Sequence, residues 1–385
     1  MNLATNFTSN AFSRLLDNAA GQEPFNLGGK ITAINAAGIY VYTPTAPVDD
    51  YVSLLCQEML IKKNYLSRRQ PVQYLRIHGL PLRQFSSDEL TELLFWLCSH
   101  FNVLDGTVVE RSIQLTPEHC SANNLALLKG LGFNNIRLSV DASIAGPDRS
   151  LDAIRQAITR ISDYRNTRLS CEISFSSDTS AVYLGALSKV LIDAQFSELE
   201  FVWQAQFPQP MRELETVQQL FANITAVLES SSYRALGNKC FKHRDSRDFI
   251  LMKHNQLSYG PWGFHNAAAC DWLGLGIGAS GMISGYLYHN SGDPESYRVR
   301  VSCHQSPVAK WSERPLNRDQ AFEFIQIIYC HQRISRHFFA GREKLLQALF
   351  DHDWIVRDGE FIRLTTGGVL NIATIAALYS QSDLA

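Results

Sequence analysis

The chain lacks paired cysteines. Its 8 cysteines are scattered through 385 residues, and no CxxC, CxxxC or CxxxCxxC occurs. That removes the local thiolate spacings of zinc ribbons and iron–sulfur runs, and leaves scattered cysteines expected to be small buried hydrophobes. Excess charge is also missing. There are 35 Lys and Arg against 37 Asp and Glu, a formal net charge of -2 and a pI near 6.6. No phosphate-binding surface, and so no nucleic-acid partner, is expected from that balance. No apolar run is long enough to span a bilayer. The most apolar late stretch, Val369 to Tyr379, is short and carries Asn371 and Thr374. Met1 to Asn18 has no basic segment leading into an apolar one, so no signal peptide is expected and the cytoplasm is the expected compartment. GxSxG, a Walker loop and HExxH are absent, which leaves hydrolase chemistry without a motif.

What is present is an ordinary globular composition, 45% hydrophobic and 19% charged, in a chain long enough for a large domain with a smaller one. Strand-like runs at Ile39–Tyr42, Gln73–Ile77, Ser112–Leu115, Ile136–Val140, Leu169–Phe175 and Leu199–Trp203 alternate with helical patterns. The helices are expected at about Asp50–Lys62, Asp88–His100, Glu118–Leu131, Leu151–Tyr164, Ser180–Ala194 and Met211–Glu229. Val52, Leu55, Cys56 and Met59 share one helical face. Ser86 and Glu89 have capping-box spacing, and Thr116–Pro117 places a cap residue before a first-turn proline. Six βα units predict an α/β fold with a parallel sheet, either an incomplete (β/α)6 TIM-like barrel or an open doubly wound sheet.

The expected division is an N-terminal extension over 1–30 with a short helix near Ala11–Leu16, a barrel over 31–230, and a C-terminal α+β region over 231–385. In that last region a glycine-dense stretch, Trp262–Ser284, precedes Tyr286, Tyr288 and a strand at Arg298–Val301. A long helix over Arg318–Phe338, a helix over Gly341–Phe350, two strands around Trp354–Leu364 and a helix from Gly368 follow. Helix, small β wing, helix predicts a winged-helix-like tail without a basic recognition face. Arg333, Arg336 and His337 fall where a helix C-terminus favours cations.

Several local patterns carry two readings. Gly276-Ile277-Gly278-Ala279-Ser280-Gly281 fits GxGxxG, but the strand-like pattern that follows favours a tight turn over a dinucleotide site. Cys240 and His243, with His254, His265 and Cys270 nearby, could contribute to a metal site, although one Cys-x-x-His pair supplies half of the ligands a structural zinc takes. Tyr259-Gly260-Pro261-Trp262-Gly263-Phe264 is either a porphyrin-stacking loop or a packed domain joint.

Several passages, in order, resemble the radical-SAM family of anaerobic coproporphyrinogen oxidase, haem chaperones and haem-degrading methyltransferases. Asp271-Trp272-Leu273-Gly274-Leu275-Gly276-Ile277-Gly278-Ala279 resembles a DxLGxGxGA stretch, and Gly285-Tyr286-Leu287-Tyr288 follows it as in the haem-utilisation branch. Leu131-Gly132-Phe133-Asn134 is similar to a GFNR turn, and Ile39-Tyr40-Val41-Tyr42-Thr43-Pro44 to the first-strand LYVHIPF. The resemblance runs from about residue 38 to the end.

Departures from the family pattern fall on its cofactor residues. The family's first strand leads into CxxxCxxC, whose thiolates hold a 4Fe–4S cluster that binds SAM. Here Pro44 leads into Thr45-Ala46-Pro47-Val48-Asp49-Asp50-Tyr51. Its GGGTP turn reads Ile77-His78-Gly79-Leu80-Pro81, its SIEVxP glutamate is Gln114, and its RxSxGxQ strand reads Arg137-Leu138-Ser139-Val140-Asp141. The resemblance therefore implies a degenerate member, without cluster or SAM. Such a protein would bind haem or a related tetrapyrrole, or act as the partner of an active relative. Candidate ligand residues are His78, Gly79, Gln114, Gly276, Gly278, Ala279, Tyr286 and Tyr288, with no catalytic residue expected. His78 either ligates haem iron or fills vacated space. Acid–base chemistry by His78, Glu172, Asp141 and Gln114, or a pure scaffold, are the alternatives.

Overall fold

The computed structural model describes Phe12, Leu15, Leu16 and residues 36–104, 109–143, 147–163, 167–204, 211–237, 239–312 and 319–381. Its first part is six βα units: β1 (Ala36–Tyr42), α1 (Tyr51–Lys62), β2 (Val72–His78), α2 (Ser87–His100), β3 (Glu110–Leu115), α3 (Ala122–Gly130), β4 (Asn135–Asp141), α4 (Pro147–Ser162), β5 (Arg168–Phe175), α5 (Ala181–Asp193), β6 (Glu198–Trp203) and α6 (Met211–Glu229). All six expected strands are present, each within a few residues of its expected bounds. Helix α2 begins at the capping box foreseen there: the Glu89 amide donates to Ser86 Oγ, and the Ser86 amide donates to Glu89 Oε2. The next start differs. Thr116 and Pro117 open only a 3-10 turn, and α3 begins after Ser121, whose Oγ accepts from the Asn124 amide.

The chain continues as β7 (Tyr233–Leu236), β8 (Cys240–His243), α7 (Arg247–Lys253), the hairpin β9 (Leu257–Gly260) and β10 (Gly263–Asn266), β11 (Ala269–Leu275), β12 (Ser280–Ile283), β13 (Tyr286–Asn290), α8 (Pro294–Ser302) and β14 (Val308–Trp311). These strands extend the sheet at both ends, giving the order β14-β13-β12-β11-β1-β2-β3-β4-β5-β6-β8-β7. β11 and β1 to β6 run parallel to one another, whereas β11 to β14 and β6, β8 and β7 pair antiparallel. The sheet is thus mixed, and its hydrogen bonding crosses residue 230. The strand expected at Arg298–Val301 is instead inside helix α8. Asp293 caps it by accepting from the Ser296 amide, and Pro294 occupies the first turn, a start signal stronger than the local Val alternation.

The tail holds α9 (Gln320–His331), β15 (Arg333–Ser335), α10 (Glu343–Asp351), β16 (Ile355–Asp358), β17 (Phe361–Leu364) and α11 (Ile372–Gln381), with β15, β17 and β16 forming a small antiparallel sheet. The helix expected to reach Phe338 stops at His331. Gln332 turns left-handed at φ 53, and Arg333 pairs with Arg363 across β15 and β17. Arg333, Arg336 and His337 therefore lie beyond the helix rather than in its last turn. The expected N-terminal helix falls largely outside the described residues. Phe12 packs on Tyr259 and Phe322, and Leu15 and Leu16 are buried.

Two residues one turn apart on α1 pin the glycine-rich segment to the helix layer. Glu58 and Lys62 are fully buried and paired at 2.8 Å. Glu58 accepts from the Gly276 amide, Asn290 Nδ2 and Tyr297 Oη, while Lys62 donates to the Gly274 carbonyl and Asn290 Oδ1. Every strong polar atom of the pair is satisfied, the condition under which a buried pair holds. Gly276 sits at φ 107, and a Cβ there would come within 2.4 Å of the Tyr42 carbonyl and Tyr51 Oη. Replacing Lys62 with Met strands Glu58 in the core. The expected cost is about 3–5 kcal/mol, read from the denaturation midpoint. A loss below about 1 kcal/mol would mean the pair is not a keystone.

Candidate functional site

Strand side chains alternate between two faces, and here the alternation separates two chemistries. One face presents Ile39, Val41, Leu75, Ile77, Ile113, Leu115, Ile136, Leu138, Ile173, Leu199 and Phe201, all buried in the hydrophobic core. The other presents Tyr40, Tyr42, Tyr74, Arg76, His78, Glu110, Ser112, Gln114, Asn135, Arg137, Ser139, Asp141, Ser170, Glu172, Ser174, Glu198 and Glu200. These polar groups line a cavity of about 1930 Å³. Parallel barrels usually fill such a space with branched apolar layers. This wall is polar at nearly every inward position, so the space suits water or a ligand rather than packing.

A continuous polar chain crosses the wall. The Gly79 amide donates to Gln114 Oε1 at 3.1 Å, and Gln114 Nε2 donates to Glu172 Oε1 at 3.2 Å. Arg137 then joins three carboxylates: Glu172 at 3.2 Å, Glu198 at 3.1 Å, and Glu200. Glu198 continues to Lys242 at 2.8 Å, and Lys242 to Asp248. Burial opposes ionisation of Glu198, but the Lys242 and Arg137 cations outweigh it and hold the carboxyl well below its usual range. Glu200, buried near Glu172 and Glu198, is pushed up despite Arg137. Lower in the cavity Arg76 donates to Glu110 at 2.7 Å and to the Trp262 and Phe264 carbonyls, fastening the β9–β10 hairpin under the sheet.

The sequence candidates divide. His78, Gly79, Gln114 and Gly278 line the cavity. His78 is half-buried, stands edge-on to Tyr40 at 5.5 Å, and lies 3.4 Å from Ser112 Oγ. Burial and the Arg137 and Arg76 cations push its pKa well below the ordinary value, so the imidazole is neutral. Gln114 and Glu172 meet, but His78 contacts neither, and Asp141 is exposed at the rim, where it accepts from Ser143. Gly276, Ala279, Tyr286 and Tyr288 stand off the wall. Tyr288 is fully buried, its oxygen accepting from the Gly274 amide, and Tyr286 packs toward Trp311. Their glycine–tyrosine pattern is a packing device. Gly276–Gly281 turns from β11 into the antiparallel β12–β13 pair, without the helix a dinucleotide site needs.

Neither of the other local patterns assembles a site. Among the described residues no group of three His, Cys, Asp or Glu is placed to hold a metal; Cys240 is buried and the Cys270 side chain lies outside those residues. The aromatic loop is the β9–β10 hairpin, with Trp262 stacked on Trp272 at 4.9 Å. His265, buried beside it, has its pKa lowered to about 3. Sequence reasoning missed Arg137, Glu198, Glu200, Lys239 and Lys242. The available signal was an ionisable residue at alternate positions of a strand, as in Glu198-Leu199-Glu200.

The residues at the mouth do not fit a 4Fe–4S cluster, which takes cysteine thiolates. Among the described residues no cysteine lines the cavity. Burial pushes the thiols of Cys56, Cys120 and Cys330 up to about 12, away from the thiolate form. Thr43 stands where β1 ends, its Oγ1 donating to the His78 carbonyl at 2.9 Å and accepting from the Leu80 amide at 2.8 Å. Gly79, at φ 101, lies so close that a Cβ would come 2.0 Å from the Thr43 carbonyl. The ends of β1 and β2 are stitched directly together.

The strand order gives an α/β fold with the cavity on the polar face of its parallel strands. A coproporphyrinogen III oxidase from Escherichia coli, described as a radical SAM enzyme, superposes with a TM-score of 0.74 over 90% of each chain at 17% identity. No protein-family profile matches the chain. An oxygen-independent coproporphyrinogen III oxidase from Pseudomonas aeruginosa is 23% identical over 368 residues, 86% of this chain and 78% of the relative. In sequence and in fold the chain is thus similar to oxygen-independent coproporphyrinogen III oxidases.

One wall residue bears on stability. Lys239 is 8% exposed, its ammonium meets no hydrogen-bond acceptor among the described residues, and its pKa is lowered by burial to about 8. A folded pKa below the unfolded one makes the charged form a penalty. Stability rises with pH between about 8 and 10, and the whole penalty stands below that window. Lys239→Met is expected to stabilise the protein at pH 7 by about 1–3 kcal/mol in urea denaturation. A destabilised variant would show that the ammonium is compensated.

Proposed function

We propose that this protein binds haem or a related tetrapyrrole in the polar cavity without carrying out the radical SAM chemistry of its relatives. The observation that carries the proposal is the closed junction of Thr43 with Gly79, in a stretch where the family's cluster loop would leave β1. No thiol stands there, and Gln114 offers an amide, bonded to the Gly79 backbone, where the family pattern has a carboxylate. The cavity has nonetheless stayed large and polar, which argues against a pure scaffold with a filled interior. His78 is the axial ligand in this reading. It is neutral, half-buried and on the wall, as iron ligation by imidazole requires.

The curved part of the sheet, β1 to β6, is read as an incomplete barrel whose mouth is at the ends of β1, β2 and β3. The tail from α9 is read as a winged-helix-like cover. The division at residues 30 and 230 and the cytoplasmic compartment belong to the same proposal, as does an active relative as protein partner. No nucleic acid or membrane has a place in it. Among the described residues, no helix is long and apolar enough to cross a membrane.

Haemin titration is expected to give a saturable Soret shift, weakened about tenfold in affinity or more in His78→Ala. A shift insensitive to that substitution moves the ligand elsewhere, and no saturable shift sinks the haem reading. Anaerobic incubation with iron and sulfide, then desalting and reduction with dithionite, is expected to leave no protein-bound cluster by electron paramagnetic resonance. A reduced-cluster signal would refute the loss of radical chemistry.

A further inference from the structure

The cavity wall contains a cation with no assigned work. Lys239 is in the left-handed region at φ 59, at the turn between β7 and β8, a position that glycine or asparagine occupies more easily. Its carbonyl accepts from the Phe201 amide, which sets the residue near the C-terminal end of β6, next to the Glu200–Cys240 pair in the row of Glu172 and Ser139. The other buried cations of the wall, Arg76, Arg137 and Lys242, each meet a carboxylate within hydrogen-bond distance. Lys239 meets none among the described residues, although Glu200 lies near enough to attract it. A second donor on this wall is also unused: Arg137 Nε is buried without an acceptor. Two unmatched donors in one polar cavity call for an acceptor from outside the chain.

We propose that Lys239, on the cavity wall that also carries Arg137, forms the subsite that takes a carboxylate group of the cavity's ligand. The subsite deepens the tetrapyrrole reading, since porphyrins carry propionates, but it also stands for any small carboxylate. The bound carboxylate would supply the counter-charge that Lys239 lacks. In exchange, the side chain gives up the unpaired state that costs stability in the empty protein. The lowered pKa of the amine fits an uncompensated buried charge and is expected to rise when an anion pairs with it.

The test is competitive acylation of the intact protein with acetic anhydride at pH 8, reading acetylation of Lys239 by peptide mass spectrometry. Only the neutral amine reacts, so pairing with a carboxylate slows the reaction. Coproporphyrin, its tetramethyl ester and succinate are compared with chloride at equal ionic strength. Expected are about tenfold slower labelling with coproporphyrin, little protection by the ester, and partial protection by succinate. Equal protection by acid and ester means occlusion without pairing and overturns the subsite. So does an unchanged rate with both coproporphyrin and succinate. Protection by succinate alone supports the subsite and sinks the tetrapyrrole reading. Lys239→Met, if folded by circular dichroism, is expected to lose the preference for acid over ester; retention of that preference also overturns the proposal.

Discussion

One guanidinium holds the polar side of the sheet together. Arg137 projects from β4 and joins Glu172 on β5 with Glu198 and Glu200 on β6. Three carboxylates on adjacent strands at this depth repel one another, and each loses hydration. Without a cation among them the inner face would neutralise by protonation or collapse onto apolar substitutes. Lys242 relieves Glu198 from the other side, so the charge is shared rather than cancelled at a single pair. Breaking Arg137 would expose all three glutamates to each other at once. The strand alternation depends on this arrangement: ion pairing on the polar face lets β1 to β6 keep an open interior while their other face buries a continuous core.

The mouth follows different rules. There the glycine-rich segment is positioned from behind by the buried Glu58–Lys62 pair, and from the front by Tyr51, which bridges the Tyr42 carbonyl and the Ile277 amide. Those bonds are local to α1, β1 and the β11–β12 turn and use no cofactor. The segment can therefore persist as a packing motif after cofactor residues change. Motif survival and activity are separable for that reason. Asp271, the first residue of the stretch, illustrates it: its carboxylate accepts from Gln70 and from the Ser284 amide, and so serves the fold.

The fold was legible where periodicity and local caps agreed. The six strands, Met211–Glu229 as a helix and the Ser86–Glu89 box follow from residues adjacent in sequence. Errors arose where a local signal had a nearby competitor. Val299 and Val301 suggested a strand, but Asp293–Pro294 had already committed the segment to a helix. The pattern over Arg318–Phe338 continued past Gln332, whose left-handed turn exists because β15 pairs with β17, a contact no local window contains. The site was only half legible. His78, Gly79, Gln114 and Gly278 reach the cavity because their place at strand ends fixes them there. Tyr286 and Tyr288 do not, since their strand lies beyond β11 and turns its rings into the layer behind. Arg137 and its glutamates could be named only once the register of β4, β5 and β6 was known.

Lys239 separates the two ways a cavity can be inherited. A relic cavity drifts toward stability: unmatched charges are lost, and small polar residues give way to packed apolar ones. Matched groups such as Arg76 with Glu110 are uninformative here, because each justifies the other in an empty protein. An unmatched buried ammonium is different. It costs stability at neutral pH, sits at a turn where simpler residues fit better, and gains nothing from the described neighbours beyond an attraction to Glu200. In the proposed reading, a ligand carboxylate returns the missing charge and removes that cost. The same logic orders the wall. The ion pairs of Arg137 brace the opening, the neutral His78 offers a lone pair near the ends of β1 and β2, and Lys239 offers charge near the end of β6. A planar acid with a metal-binding centre and peripheral carboxylates presents both complements at once.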